Sequence, residues 1–243
     1  MDLTGWILTG NFLRTQKRWL AWASCLKNGE LLSRTKPGPP TGLLCCSRLQ
    51  STSPSTFNGM ETTGSIQWNP SPKSLDWVNA MCFDYRGSWD TSATGAHAAL
   101  YDPNSNISTS YGLTSWVRAG VPRNMVVMGL PLYGRTWQLK DPKVNGIGAP
   151  ATAVGPGDDG VLIFSEVEKF NRENGATVVY DAKTVSTYSH AGTSWIGYDD
   201  SQSTTVKLEF AQAHGLRGYF FWALSYDREW EISKQASRTW VTG

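Results

Sequence analysis

SLDWVNAMCFDY (residues 74–85) is an apolar run that closes on an acidic residue and a phenol. That is the pattern of a buried parallel strand whose carboxyl end faces a site. Reading outward, a Gly/Ser/Asn-rich loop leads to TSWVRAG (114–120), which predicts a helix ending at a Gly stop. MVVMGLPLYG (125–134) is a second buried strand, with Pro131 near its end, where a ladder donor is no longer needed. Farther on, SQSTTVKLEFAQAHG (201–215) predicts a helix, LRGYFFWALS (216–225) a third buried strand and WEISKQASRTW (230–240) a closing helix. Residues 135–197 break this rhythm. GVLIFSEVEKFNRENG (160–175) contains a short amphipathic helix, and ATVVYDAKT (176–184) and TSWIGYDD (193–200) read as antiparallel strands around it. Alternating βα units with an α+β insertion imply an α/β protein built on a parallel sheet or barrel. In such folds the chemistry sits at the carboxyl ends of the strands.

The 243 residues carry 40% hydrophobic side chains, enough for a sizeable core. With 22 basic and 20 acidic residues the net charge is +2, which provides no electrostatic footprint for nucleic acid or an anionic membrane. No window approaches 18 apolar residues, so a soluble chain is expected. The 12 Trp and 9 Tyr are the compositional hint, because aromatic faces bury well and also stack on the apolar faces of sugar rings. Cys25, Cys45, Cys46 and Cys82 show no CxxC spacing, and His97, His190 and His214 are scattered. Neither a metal site nor a cofactor is expected.

Residues 1–56 differ in texture: RTKPGPPTG (34–42) and STSPSTFNG (51–59) are rich in breakers, and three of the four Cys fall in this segment. The opening MDLTGWILTGNFL (1–13) has neither the charge-then-apolar order of a signal peptide nor a period of 2 or 3.6.

MCFDY, GLPLYGRTW and GYFFWALSYD resemble strands six, seven and eight of glycoside hydrolase family 18, and WIGYDD is similar to the close of that family's α+β insertion. Within the family the plant class V chitinases are the nearest pattern, over residues 74–243. The resemblance implies a partial TIM (β/α)8 barrel, strands six to eight, with a small α+β insertion domain. Residues 57–134 and 198–243 would form the barrel part, and 135–197 the insertion. It also implies substrates of chitin type, β-1,4-linked N-acetylglucosamine oligomers, cleaved with help from the substrate's own N-acetyl group. Met81 and Asp84 would line the subsite of the reacting sugar, with Tyr133 and Arg135 on the next strand. Trp222 would form its floor, and Trp195, Tyr198 and Asp199 the wall built by the insertion. Trp137 and Trp195 would join Trp222 in stacking. Phe83 stands where many family members have Tyr, which removes a hydroxyl that bonds the substrate N-acetyl group. Barrel packing is the alternative for Met81, Phe83 and Trp222, and capping of the next helix for the pair Asp199–Asp200.

The family's catalytic motif, DxxDxDxE, does not occur in the 243 residues. Back-translating residues 1–13 one nucleotide earlier permits YGFDGLDLDWEFP, which contains it, and the same frame over residues 13–33 permits an acidic loop and an amphipathic helix. Residues 1–50 are therefore expected to be an out-of-frame or mis-spliced translation of the family's strand four region. Three functions follow as expectations: a chitinase-like hydrolase that is inactive as written, a lectin-like oligosaccharide-binding module, or a product without function. Three strands of eight would leave a long open edge, so the isolated chain is expected to be unstable and, where folded, monomeric. Family members are usually secreted or vacuolar, and NIS (106–108) is a glycosylation sequon.

Overall fold

The computed structural model describes residues 77–242. The expectation of an irregular, out-of-frame opening segment falls on residues 1–56, outside the described residues.

Three parallel strands form one sheet: β1 (Val78–Ala80), β2 (Val126–Pro131) and β9 (Gly218–Trp222), in the order β1-β2-β9. Val78 lies opposite Val126, and Met128 opposite Tyr219. The alternation of strand side chains then sorts the residues onto two faces. Val78, Ala80, Cys82, Val126, Met128, Leu130, Tyr219 and Phe221 belong to one large core. Met81, Phe83, Val127 and Phe220 belong to another, on the opposite face. Gly129 lies between the two sheets of side chains because nothing larger fits: a Cβ there would stand 2.7 Å from the Ala80 carbonyl oxygen and 2.7 Å from the Phe220 ring. The first strand is shorter than the quoted run. The ladder stops at Ala80, Met81 to Phe83 stay buried, and Asp84 turns the chain with a left-handed φ of 63°.

Helices cover the first face. Helix α1 (Thr109–Arg118) begins earlier than the expected 114–120, because the Ser108 hydroxyl caps it by accepting from the Tyr111 N–H. It contributes Leu113 and Trp116 to the core, and the chain leaves it through Gly120 at φ 102°. Helix α2 (Phe164–Asn174) is closed by Gly175 in the left-handed conformation. Helix α3 (Ser201–Ala213) is capped reciprocally: the Asp200 carboxylate accepts from the Ser203 N–H at 2.9 Å, and the Ser203 hydroxyl accepts from the Asp200 N–H at 3.0 Å. Helix α4 (Glu231–Thr242) starts under Asp227, whose carboxylate accepts from the Ser233 N–H at 2.9 Å. Leu208 and Ala211 of α3 and Ile232 and Ala236 of α4 complete the core.

The stretch that breaks the rhythm is a six-stranded antiparallel sheet with α2 against it. Its strands are β3 (Tyr133–Leu139), β4 (Ala151–Val154), β5 (Val161–Ile163), β6 (Thr177–Asp181), β7 (Ser186–Ala191) and β8 (Ser194–Tyr198). The order is β4-β3-β8-β7-β6, and β5 pairs with the first residues of β3. The sheet opens at Tyr133, slightly before the break expected at 135. Leu132 joins the two sheets: its N–H donates to the Trp222 carbonyl at 2.8 Å, and its carbonyl accepts from the Phe164 N–H at 2.8 Å.

Candidate functional site

The inner face of the parallel sheet and the first residues of β3 converge at the carboxyl ends of β1, β2 and β9. Met81, Phe83 and Tyr133 are buried together with Ala98, Val127 and Phe220, and the half-buried Trp222 packs at their edge. Phe83 meets the Tyr133 ring edge-on at 6.0 Å and Phe220 at 6.5 Å. Above this apolar floor Arg135 donates its Nε–H to Asp84 Oδ1 at 2.9 Å and places Nη2 2.8 Å from the same oxygen. The Asp84 side chain is 32% exposed, so the pair forms the polar rim of an aromatic surface.

Burial raises the Tyr133 phenol well above its ordinary value, helped by the Asp84 charge and by a hydrogen bond to that carboxylate. The phenol is therefore a neutral donor. Behind the rim lies His97, with its ring tilted against Tyr133 at 5.1 Å and Nε2 3.1 Å from the Tyr133 carbonyl. Burial holds this imidazole well below the usual histidine range, and the Arg135 and Lys207 cations push the same way.

The structure thus brings together Met81, Phe83, Asp84, Tyr133, Arg135 and Trp222. It places the other expected residues elsewhere. Trp137 and Trp195 are both 0% exposed, packed edge-to-face at 5.4 Å in the antiparallel sheet's own core, and neither ring offers a face to a sugar. Their indole N–H groups are used internally, by the Asp90 carbonyl at 3.0 Å and the Asn145 carbonyl at 2.9 Å. Tyr198 is buried beside Phe164, and its hydroxyl accepts from Asn171 at 3.1 Å. Asp199 is likewise buried. Both of its oxygens lie 2.6 Å from Lys207 Nζ, which also donates to the Ala98 carbonyl. Capping of the next helix falls to Asp200 alone.

Two residues join the site that the sequence reading passed over. Trp89 is 55% exposed, and the Arg135 guanidinium lies 5.1 Å from its ring centroid. His97 is the other. The signal for Trp89 is its setting, a Gly-Ser-Trp in the loop after a strand: a Cβ on Gly87 would fall 2.6 Å from the Trp89 ring, so the indole packs in space that only Gly leaves open. Among the described residues no three His, Cys, Asp or Glu are grouped to hold a metal ion. The described Cys82 is buried, and burial pushes its thiol up to about 12. Among the described residues no helix is long and apolar enough to cross a membrane.

The model of glycosyl hydrolases family 18 matches residues 48–227. The chain belongs to this family. It is 56% identical over 168 residues to the Class V chitinase CHIT5 of Lotus japonicus, covering 69% of this chain and 42% of that one. Among solved structures it is similar to the class V chitinase of Nicotiana tobaccum, at 40% identity and a TM-score of 0.67, over 69% of this chain and 49% of that one. It is also similar to the family 18 chitinase of Cycas revoluta in complex with (GlcNAc)3, at 46% identity and a TM-score of 0.65, over 68% and 47% of the two chains. The chitinase-like agglutinin of Robinia pseudoacacia is similar too, at 38% identity and a TM-score of 0.63, again over 68% and 47%. The chain thus spans less than half the length of these relatives. Its fold is the α/β, TIM-barrel type of the plant class V chitinases.

Proposed function

We propose that this family 18 chain binds β-1,4-linked N-acetylglucosamine oligomers through one half of a chitinase-type cleft. The observation that carries the reading is the gathering of Met81, Phe83, Tyr133 and Trp222 on one face, under the Asp84–Arg135 pair. In this reading β1, β2 and β9 are strands six, seven and eight of a (β/α)8 barrel. Residues 57–134 and 198–243 are the barrel part, and 135–197 the α+β insertion. Trp222 and Trp89 supply flat apolar faces for pyranose rings. Arg135 donates to hydroxyl and carbonyl oxygens, the Tyr133 phenol oxygen accepts while its hydrogen serves Asp84, and Asp84 accepts from hydroxyl and amide N–H groups. Phe83 has no hydroxyl to donate, so the acetamido group is held through Asp84 and Tyr133. Trp137, Trp195, Tyr198 and Asp199 serve the site by keeping the antiparallel wall in shape.

The 243 residues contain no DxxDxDxE, and the reading for this chain is recognition without hydrolysis. Loss of a general acid alone removes about 10²- to 10⁴-fold of rate. A chitinase-like agglutinin is among the similar solved structures, so the lectin-like form of this reading has a relative of that kind. The test is calorimetric titration of the chain with the N-acetylglucosamine tetramer, with product analysis by chromatography. Saturable binding, weakened about tenfold or more (~1.4 kcal/mol) by Trp222→Ala, is expected, with the tetramer recovered intact. No binding by the unaltered chain would support a product without function. Shortened oligomers would sink the non-hydrolytic reading.

A further inference from the structure

His97 has one ring nitrogen accounted for and one not. Nε2 lies 3.1 Å from the Tyr133 carbonyl oxygen, which can only accept, so Nε2 carries a hydrogen. Nδ1 is buried without a hydrogen-bond partner among the described residues. Asp84 Oδ1 lies 3.9 Å away, too far for a direct bond. An imidazolium would have to lose its hydration in a ring that is 1% exposed. The groups facing it are mixed in sign: Asp84 after β1, Tyr133 and Arg135 on β3, and Lys207 on α3 with its own partner Asp199. Asp84 is already engaged by Arg135, and Lys207 by Asp199, so no free carboxylate compensates a second positive charge. The neutral ring remains, with Nδ1 as an acceptor 3.9 Å from a carboxylate oxygen.

Two acceptors 3.9 Å apart repel unless a donor stands between them. We propose that His97 Nδ1 and the Asp84 carboxylate together hold an internal water that donates one hydrogen to each, and that His97 is thereby the positioning residue for Asp84. Buried waters occupy such places, where a buried polar group lacks a partner and a second acceptor lies within a water's reach. The chain of bonds runs from the Tyr133 carbonyl through the imidazole and the water to Asp84, and Arg135 closes it from the solvent side. The Tyr85 N–H holds the His97 carbonyl at 2.9 Å, which fixes the loop that carries the ring. Asp84 is thus braced from behind by a neutral donor and from the front by a cation, so its orientation is set before any ligand arrives.

The experiment is long-range proton–nitrogen NMR on the 243-residue chain carrying His190→Gln and His214→Gln, which leaves His97 as the sole histidine. The expected spectrum at pH 7 is that of the neutral Nε2–H tautomer. Its Nδ1 resonance should sit at the position of an acceptor and show a water cross-peak to the ring. An imidazolium, an Nδ1–H tautomer or an Nδ1 without a bonded donor would each overturn the proposal. The consequence for binding rests on the function proposed above and is read separately. His97→Gln keeps a donor for the Tyr133 carbonyl but removes Nδ1, and should weaken tetramer binding about three- to tenfold. In Asp84→Asn that effect should vanish, because the group being positioned is gone. Additive losses in the double variant would reduce His97 to a packing role. Failure of the unaltered chain to bind would sink the function and leave the ring measurement decisive.

Discussion

Arg135 and Asp84 are held by two contacts to one oxygen, Nε at 2.9 Å and Nη2 at 2.8 Å, and they tie β3 of the antiparallel sheet to the loop after β1 of the parallel one. The guanidinium matters here as a planar fork. Arg135→Lys keeps the charge and loses one of the two donors. We expect the affinity for the N-acetylglucosamine tetramer to fall about tenfold (~1.4 kcal/mol). Thermal stability should move by no more than about 4 °C, since the pair is partly exposed. Calorimetric titration and thermal melts of both forms decide this; unchanged affinity would remove Arg135 from the site.

The ion pair between Asp199 and Lys207 is of another kind, with both side chains 1% exposed. Burial raises the Asp199 carboxyl, and Lys207 and the Ser203 hydroxyl draw it back. Lys207→Met strands that carboxylate and is expected to cost about 3–5 kcal/mol in urea unfolding. Asp199→Leu combined with Lys207→Met should recover most of the loss, since no buried charge remains. A double variant as unstable as the single one would show that the hydrogen bond from Lys207 to Ala98 carries the stability instead.

Gly129→Ala puts a methyl between a fixed carbonyl and a buried ring, both 2.7 Å away. The expected destabilisation is about 1–3 kcal/mol by chemical denaturation. Gly146→Ala, whose Cβ meets nothing within 4 Å, is the matched control and should be near neutral. Equal values for the two would mean that β2 shifts freely, against its pairing on both sides.

His97 gives the protein a pH dependence whose sign follows from its environment. Burial lowers the folded-state value below 6.5, whereas the unfolded chain takes up its proton near the ordinary value of about 6.5. Between the two, the unfolded state binds more protons. Stability is therefore complete above about pH 6.5 and is lost as the pH falls, with a slope of up to ~1.4 kcal/mol per pH unit. Asp199, raised by burial, works in the opposite sense, its share being lost as pH rises through its folded value. The comparison of unaltered chain and His97→Gln from pH 7 to 5 isolates the histidine. A slope that survives in the variant would assign it to other groups.

How far the molecule was legible depends on the kind of signal each part carries. Val126–Pro131 and Gly218–Trp222 lie inside continuous apolar runs, which only a strand buried on both faces needs. Strand β7, Ser186–Ala191, has no such mark. STYSHA is polar, yet it pairs on both sides, with β6 and β8, and half of its residues are buried. The aromatic excess misled in part: Trp137 and Trp195 look like sugar platforms in sequence, but their rings fill each other's space. Asp84 and Arg135 stood out through the resemblance of MCFDY and GLPLYGRTW to the family's strands. Trp89 and His97 sit in an aperiodic loop, where no spacing announces which side chain turns inward.

Leu132 carries no chemistry, but its two backbone bonds have a mechanical consequence. Its N–H is held by Trp222 and its carbonyl by the first residue of α2, both at 2.8 Å. A hinge needs a residue whose dihedral angles can swing without breaking anything, and the only covalent step from β2 to β3 is stapled on both sides. The antiparallel wall therefore cannot rock against the aromatic floor as a rigid lobe. A sugar bound as proposed above would therefore meet the antiparallel wall and the aromatic floor in a fixed relation.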